Sequence, residues 1–270
     1  MNFTDNIPSF MKFGKITAAI AVAMVAVIAC DHDKVVTDKV DIDIKEALQP
    51  GLKDSVTVVA DVEFPVSGLA DSVKNRMNET IVEAAFGSDY AGMEIRQAAD
   101  RWAADYVNEF KETNQELIKE FGLDENREGT LNWENNLNGY FSGRYEDIIS
   151  YTVNNYVYAG GAHGSTTENS VNMNRTTGKL VNESDFFIPG YREGLSAILS
   201  AHLRESLPDQ ESYDALFVKD IEPNGNFKVG ESGITYIYGQ YEIGPYYLGI
   251  IKVSVPWDEL GDLVRENPLR

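Results

Sequence analysis

A histidine within a glycine-rich segment is the first candidate for chemistry. Residues 158–164 read YAGGAHG, so His163 has glycines on both sides. Glycine permits positive φ angles and close approach of the backbone to a ligand, and an imidazole can bind a ligand or transfer protons near neutral pH. The alternative is a tight turn or bulge between strands, in which His163 only bonds neighbouring backbone. The predicted turn glycines are Gly160, Gly161, Gly164 and Gly178.

A tyrosine-rich segment near the C terminus is the second candidate. Residues 234–249 read ITYIYGQYEIGPYYLG and surround one glutamate with tyrosines. Aromatic faces beside a carboxylate suit sugar rings or a basic side chain. The alternative is a pair of tyrosine-rich strands that lies half in the core and half at its rim. The residues predicted to contact a ligand are His163, Tyr158, Tyr241, Glu242 and Tyr246.

No catalytic motif accompanies these candidates. The sequence contains no phosphate-binding GxxxxGK[ST], no HExxH and no GxSxG, and no GxGxxG follows a strand pattern. Its single cysteine and three histidines exclude a multi-cysteine zinc site and leave little for a histidine-rich one. The sequence therefore predicts no catalytic residue, no metal and no cofactor, and it leaves open whether the protein is an enzyme.

The charge balance limits the class of partner. The chain has 43 acidic against 23 basic residues, a formal net charge of −20. Nucleic acid is excluded as a partner because its phosphate backbone is bound by basic surface. A strongly acidic body instead favours cationic partners, mainly by accelerating association.

The N-terminal segment has the pattern of an export signal. Lys12 and Lys15 precede an uncharged apolar run, residues 16–29, which is too short to span ~30 Å of hydrocarbon as a helix. A basic region followed by such a run is typical of a secretory signal peptide, with Met11 as the true start. The alternative is a short membrane anchor that stays attached.

Cys30 favours the signal peptide, because this single cysteine ends the apolar run as VIAC. The pattern resembles the lipobox of bacterial lipoproteins, in which the cysteine is lipidated and becomes the new N terminus. Each acyl chain contributes ~0.8 kcal/mol per buried CH₂, so several chains anchor stably. The sequence thus predicts a signal peptide over 1–29 and a membrane contact through lipidated Cys30 only. The expected location is the cell envelope, at the outer membrane or cell surface of a Gram-negative bacterium.

Hydrophobic periodicity predicts the elements that hold the candidates. Residues 56–64 alternate apolar and polar side chains, which is typical of a half-buried strand. Helical spacing of apolar residues follows over 71–87, 92–121 and 190–207, with a last helix after Pro256. Strand patterns cover 133–157, 172–181, 234–238 and 247–255. Because helices come in blocks and do not alternate with strands, we expect an α+β fold. It would have mainly antiparallel sheets packed with helices, in two small, intimately associated subdomains.

Composition predicts the domain organisation. Residues 30–52 are charged, poor in aromatic residues and interrupted by Pro50 and Gly51, which indicates an acidic tether after the lipidated cysteine. The body then divides into residues 53–158 and 159–270.

These segments resemble a known family. YAGGAHG (158–164), TGKL (177–180), SDFF (184–187) and the tyrosine-rich segment resemble the domain of unknown function 3298 family, which includes the ectodomain of the anti-sigma factor RsiV. Residues 53–158 are similar to its usual N-terminal companion, the PdaC-like domain (domain of unknown function 4163). The resemblance covers roughly residues 53–265.

The resemblance implies an α+β fold and a role in bacterial cell envelopes. One branch of the family senses lysozyme by binding it, and another places the PdaC-like domain beside a peptidoglycan deacetylase domain. This sequence shows neither a sigma-binding segment before a spanning helix nor a deacetylase block of paired aspartates and spaced histidines. We therefore carry over neither activity.

The leading hypothesis is a cell-envelope lipoprotein that binds an envelope protein or a glycan without catalysis. The resemblance suggests a cationic lysozyme-like protein or a cell-wall ligand. The alternative is an enzyme or accessory domain that acts on cell-wall or other glycans, using His163 and the tyrosines. A third hypothesis is an assembly scaffold with no small ligand.

Overall fold

The computed structural model describes residues 35–121 and 131–265 of the 270-residue chain. The predicted signal peptide and Cys30 lie outside the described residues. The protein has the predicted α+β fold, with mainly antiparallel sheets packed with helices. Each of its two sheets has its own hydrophobic core, so two small subdomains pack against each other.

The first sheet has five strands in the spatial order β1-β2-β3-β4-β5. They are β1 Val36–Ala47, β2 Ser55–Ser67, β3 Trp133–Tyr145, β4 Ile148–Tyr158 and β5 Ser165–Asn174. β2 and β3 are parallel, and the other neighbours are antiparallel. Parallel neighbours need a long crossover, which here contains α1 (Asp71–Phe86), a 3-10 turn (Ser88–Tyr90) and α2 (Ile95–Phe121).

The two helices cover one face of this sheet. The period-two pattern of β2 is confirmed, because its apolar side chains are fully buried at Val56, Val58, Ala60 and Val62. Met77 and Ile81 of α1 and Phe110 of α2 pack on them. Gly87 ends α1 at φ 98°, as the sequence predicted.

The predicted acidic tether is wrong for residues 36–47, which form the edge strand β1. Val40 and Ile42 are buried in the core, whereas Asp41 and Asp43 between and after them are exposed. The strand pairs with β2 along its length. High charge content suggested a solvated linker, but charged residues that alternate with apolar ones belong to a half-buried strand.

The second subdomain is built on a three-stranded antiparallel sheet with one helix packed against it. The strands are β6 Phe227–Val229, β7 Gly233–Tyr238 and β8 Ile251–Pro256. The helices are α3 Glu183–Phe186, α4 Tyr191–Leu203, α5 Gln210–Asp214 and α6 Trp257–Leu260, and 3-10 turns cover Tyr246–Leu248 and Gly261–Leu263. The predicted inward stripe of α4 is confirmed by the fully buried Leu195, Leu199 and Leu203. The strand pattern over 172–181 corresponds to the end of β5 and a turn closed by one bridge, Met173↔Leu180.

β6 packs on the face of the large sheet that the helices leave free, at the β3–β5 end. Ser150 Oγ donates to Asn172 Oδ1 at 2.6 Å and accepts from Val229 N at 2.8 Å. Gly143 permits this approach, because a Cβ there would lie 2.1 Å from the Val229 carbonyl oxygen. The interface between the subdomains is therefore close and partly polar.

One asparagine closes the outer edge of β5. Asn226 Oδ1 accepts from Ser170 N at 2.8 Å, and its Nδ2 donates to Glu168 O at 2.8 Å. These two hydrogen bonds replace those that a further strand would make. The predicted boundary at residue 158 falls between β4 and β5 of this one sheet, so the sheet continues past it.

Candidate functional site

An aromatic corner lies where the two subdomains meet. The ring of His163, in the turn between β4 and β5, stacks on Tyr246 with centroids 4.0 Å apart and an interplanar angle of 28°. The Tyr241 ring lies 5.7 Å from that of Tyr246. The two segments that the sequence singled out therefore meet at one place, and we call His163, Tyr241 and Tyr246 the aromatic corner.

Hydrogen bonds to the backbone hold this corner together. Tyr246 Oη donates to Gly164 O at 2.8 Å, and Gln240 Oε1 accepts from Thr166 N at 2.8 Å. His163 Nδ1 lies 3.0 Å from Gly164 O, although the residue as a whole is exposed. This contact with the backbone agrees with the interpretation of the segment as a turn. The exposed part of the His163 ring can also contact a ligand.

The glycines of this turn serve two different purposes. Gly160 and Gly161 both have φ 89°, a conformation that side chains with a Cβ rarely adopt. Gly164 gives room instead, because a Cβ there would lie 2.5 Å from the ring of Tyr156. Tyr158 closes the turn, since its hydroxyl donates to Gly161 O at 3.1 Å. Gly178, in the turn after β5, has φ 69°.

Tyr241 is held in an unusual backbone conformation with its side chain outward. Its φ is 65°, in the left-handed region that bulky residues seldom occupy, and the residue is 57% exposed. Glu242 fixes this loop, because Oε2 accepts from Gly239 N at 2.6 Å and Oε1 accepts from Asn224 Nδ2 at 2.8 Å. Both carboxylate oxygens of Glu242 are therefore engaged within the loop, and the ligand contact predicted for it stays a prediction.

Of the two interpretations of the tyrosine-rich segment, the structure agrees with the one that places it half in the core and half at its rim. Tyr236 and Tyr238 are buried in the core, whereas Tyr241 and Tyr247 are exposed. Tyr236 and Tyr238 are two residues apart on β7, so the same face of the strand buries both. After the strand ends, the loop turns the remaining tyrosines outward.

Comparison with protein families agrees with the two subdomains. Residues 52–166 match the model described as Deacetylase PdaC, and residues 184–258 match the model described as Protein of unknown function (DUF3298). The chain carries a PdaC-like domain followed by a DUF3298 domain. The aromatic corner combines His163 of the first match with Tyr241 and Tyr246 of the second.

Solved structures share the whole fold. A DUF3298 family member from Bacteroides fragilis superposes with a TM-score of 0.78 at 22% identity, covering 87% of this chain and 95% of that one. A DUF3298 family protein from Pseudomonas aeruginosa PAO1 superposes with a TM-score of 0.61 at 17% identity, covering 87% and 96%. These similarities establish the fold.

One curated relative has a named activity. The chain is 24% identical over 176 residues to the peptidoglycan-N-acetylmuramic acid deacetylase PdaC of Bacillus subtilis (strain 168). The match covers 63% of this chain and 36% of that protein. The chain thus spans about a third of the length of this relative.

The second subdomain contains a buried carboxylate that sequence reasoning missed. Glu183, at the start of α3, has a side chain only 9% exposed. Its Oε1 accepts from Tyr236 Oη and Gly225 N, each at 2.8 Å, and its Oε2 accepts from Tyr191 Oη at 2.6 Å. Burial, and then the negative charge of Glu183, raise the pKa of Tyr236 far above its ordinary value. Because the donors come from distant segments, no local pattern distinguished Glu183 from the other acids.

His202 has a structural contact: its Nε2 lies 2.8 Å from Glu259 Oε2, and its side chain is mostly buried. Across residues 35–121 and 131–265, no three His, Cys, Asp or Glu side chains converge to hold a metal ion. In that same part of the chain, no helix has the length and apolarity needed to cross a bilayer.

Proposed function

We propose that this protein is a cell-envelope lipoprotein whose body binds an envelope protein or a glycan at the aromatic corner, without catalysing a reaction. The lipobox pattern at Cys30 supports the envelope location and the anchor. The PdaC-like and DUF3298 domains, together with the distant similarity to a peptidoglycan deacetylase, support a cell-wall context.

The conformation of Tyr241 is the observation that carries the binding proposal. A left-handed conformation costs a residue with a Cβ roughly 1–2 kcal/mol, which glycine avoids. At Tyr241 this conformation places an exposed ring beside the His163–Tyr246 stack. Because the ring is exposed, it adds no packing to the core that would offset the cost. Unfavourable backbone conformations of this kind concentrate at ligand-contacting positions.

The test uses a variant that removes the ring and relieves the strain together. Tyr241→Gly should weaken binding of a basic lysozyme, or of soluble peptidoglycan fragments, by about tenfold or more. The same variant should keep or raise the free energy of unfolding, because glycine accepts positive φ. Isothermal titration calorimetry and urea unfolding of the full chain in detergent measure the two effects.

Glu146→Gly is the matched control. Glu146 also has positive φ, 51°, but it lies in the β3–β4 turn, at the opposite end of β4 from the corner. It should change stability in the same direction and leave affinity unchanged. Wild-type affinity in Tyr241→Gly would show that the corner is not the binding site, and failure of the wild type to bind either probe would exclude these two ligand classes.

A further inference from the structure

The five-stranded sheet has a second face that is only partly covered. Side chains of successive strand residues point to opposite faces, so the residues between the buried ones form this outer face. β6 covers its upper end at Ser150 and Thr152, which are fully buried. On β5 this cover continues, because Glu168 is buried and pairs with Lys252 of β8 at 2.7 Å. Below Ser150 and Thr152, the outer-face residues of β1 to β4 are exposed or half-buried. We call this part the open sheet face; its charged, amide and aromatic residues are Lys39, Asp41, Asp43, Lys45, Asp61, Glu63, Glu134, Asn136, Asn138, Tyr140, Asn154 and Tyr156.

The strand register places these side chains in rows. Asp41, Asp61, Asn138 and Asn154 lie opposite one another on β1, β2, β3 and β4. With neighbouring strands ~4.8 Å apart, this polar row extends over about 14 Å. In the next row, Asn136 lies opposite Tyr156. The face is therefore a rigid platform that combines amides, carboxylates and aromatic rings.

Much of its hydrogen-bonding capacity is unused within the described chain. Asp41, Asp43 and Asn138 are exposed and make no hydrogen bond or ion pair to another described residue. Asn154 Nδ2 lies 3.4 Å from Tyr140 Oη, and its Oδ1 has no partner among the described residues. Asp61 is paired with Lys39 Nζ at 2.8 Å. Asn136 Nδ2 donates to Glu134 Oε1 at 2.5 Å and Asn154 Oδ1 is buried, so the groups that remain available to an external partner are those of Asp41, Asp43 and Asn138.

We propose that the open sheet face binds a glycan strand whose sugars bear free amino groups. The rings of Tyr140 and Tyr156 suit the apolar faces of sugar rings. Asparagine carboxamides both donate and accept, as sugar hydroxyls do, whereas lysine and arginine side chains only donate. Asp41 and Asp43 supply the negative charge that pairs with ammonium groups, and the chain charge of −20 disfavours anionic polymers. A basic polypeptide matches the carboxylates, but only its backbone carbonyls, and not its lysine or arginine side chains, accept from the amide N–H groups.

This site adjoins the aromatic corner at Tyr156, whose ring lies against Gly164, but its free carboxylates and amide are on β1 and β3 and do not depend on the function proposed for the corner. Tyr158 lies between the two, on the same face as Tyr156 but committed to Gly161 O. The variants below avoid both Tyr158 and the corner residues, so the two proposals fail independently.

Calorimetry on the full chain in detergent tests the proposal with three probes: a glucosamine oligomer, its fully N-acetylated counterpart and a lysine oligomer of equal charge. We expect the glucosamine oligomer to bind at least about tenfold more tightly than the acetylated one. Asp41→Asn/Asp43→Asn should remove that preference, and Asn138→Ala should weaken both sugars. Glu112→Gln/Glu116→Gln, the same change in charge on exposed positions of α2, across the sheet, should leave binding unchanged.

Four results would overturn the proposal. The first two are no binding of the glucosamine oligomer and equal affinity for both sugars. The third is an equal loss of affinity in the Glu112→Gln/Glu116→Gln control, which would show that only net charge matters. The fourth is a lysine oligomer that binds as tightly as the glucosamine oligomer and loses as much affinity in Asp41→Asn/Asp43→Asn, which would make the face a basic-peptide surface. Tyr241→Gly should leave glucosamine binding at the wild-type level, so loss of lysozyme binding there bears only on the aromatic corner.

Discussion

Replacing Glu183 by alanine should destabilise the second subdomain by about 3–5 kcal/mol. The side chain is 9% exposed, and it accepts hydrogen bonds from Tyr236 Oη, Gly225 N and Tyr191 Oη. Without the carboxylate, the fully buried Tyr236 hydroxyl and the Gly225 N–H lose their acceptor. Each buried donor left unpaired costs ~1–3 kcal/mol, and losing one partner of a buried charged network costs ~3–5 kcal/mol.

Two further variants separate the causes of that loss. Arg192 lies 3.5 Å from Glu183 Oε2 and 3.4 Å from Glu222 Oε2. Glu222→Ala removes the second of these carboxylates, which is 77% exposed, so it should cost no more than about 1 kcal/mol. Glu183→Ala/Tyr236→Phe removes the orphaned hydroxyl and should recover roughly 1–2 kcal/mol relative to Glu183→Ala.

Equilibrium urea unfolding measures all three variants, and the slope m must stay constant for the comparison to hold. A Glu183→Ala protein within about 1 kcal/mol of wild type would show that the buried network is not a stabilising centre. A loss of equal size in Glu222→Ala would assign the effect to Arg192 and not to the buried donors.

Two more predictions concern membrane attachment and pH. Cys30→Ser should abolish lipidation and release the protein from membranes, and a Cys30→Ser protein that stays in the membrane fraction after a high-salt wash would contradict the lipoprotein proposal. Burial and Glu183 raise the pKa of Tyr236 above its ordinary value of 10.0. The contribution of this tyrosine to the free energy of unfolding should therefore be complete below pH 10. Above pH 10 it should fall by ~1.4 kcal/mol per pH unit. In Tyr236→Phe, the free energy of unfolding measured in urea should fall less steeply with pH above pH 10 than in the wild type. An equal pH dependence in the two proteins would refute the assignment.

Local patterns in the sequence were enough to predict most of the elements. Alternation over 56–64 and helical spacing over 71–87 and 92–121 gave β2, α1 and α2 close to their observed bounds. These patterns are informative because burial of one face repeats every two residues in a strand and every 3.6 in a helix. The grouping of helices also gave the α+β class. The same rule explains why the tether prediction is wrong at β1. Val40 and Ile42 alternate with charged residues there, and this alternation is a better indicator of a half-buried strand than charge content is of a linker.

The candidate site was only half predictable. The sequence identified His163, Tyr241 and Tyr246 separately, but their stacking depends on β5 and β7 bringing distant segments together. It could not separate Tyr236 and Tyr238 from Tyr241, because that depends on where β7 ends and its loop begins.

The sequence by itself therefore determined the properties that depend on local patterns or composition. These are the helices and strands, the fold class, the acidic charge and the export pattern with its single cysteine. The tertiary structure decided which polar groups meet. Glu183 became a buried acceptor only because Tyr191, Gly225 and Tyr236 converge on it from three segments. Asp41 and Asn138 came to share a row only through the pairing of β1, β2 and β3. Such contacts join residues far apart in the chain, and hydrophobic periodicity reports which face of an element is buried but not which element covers it.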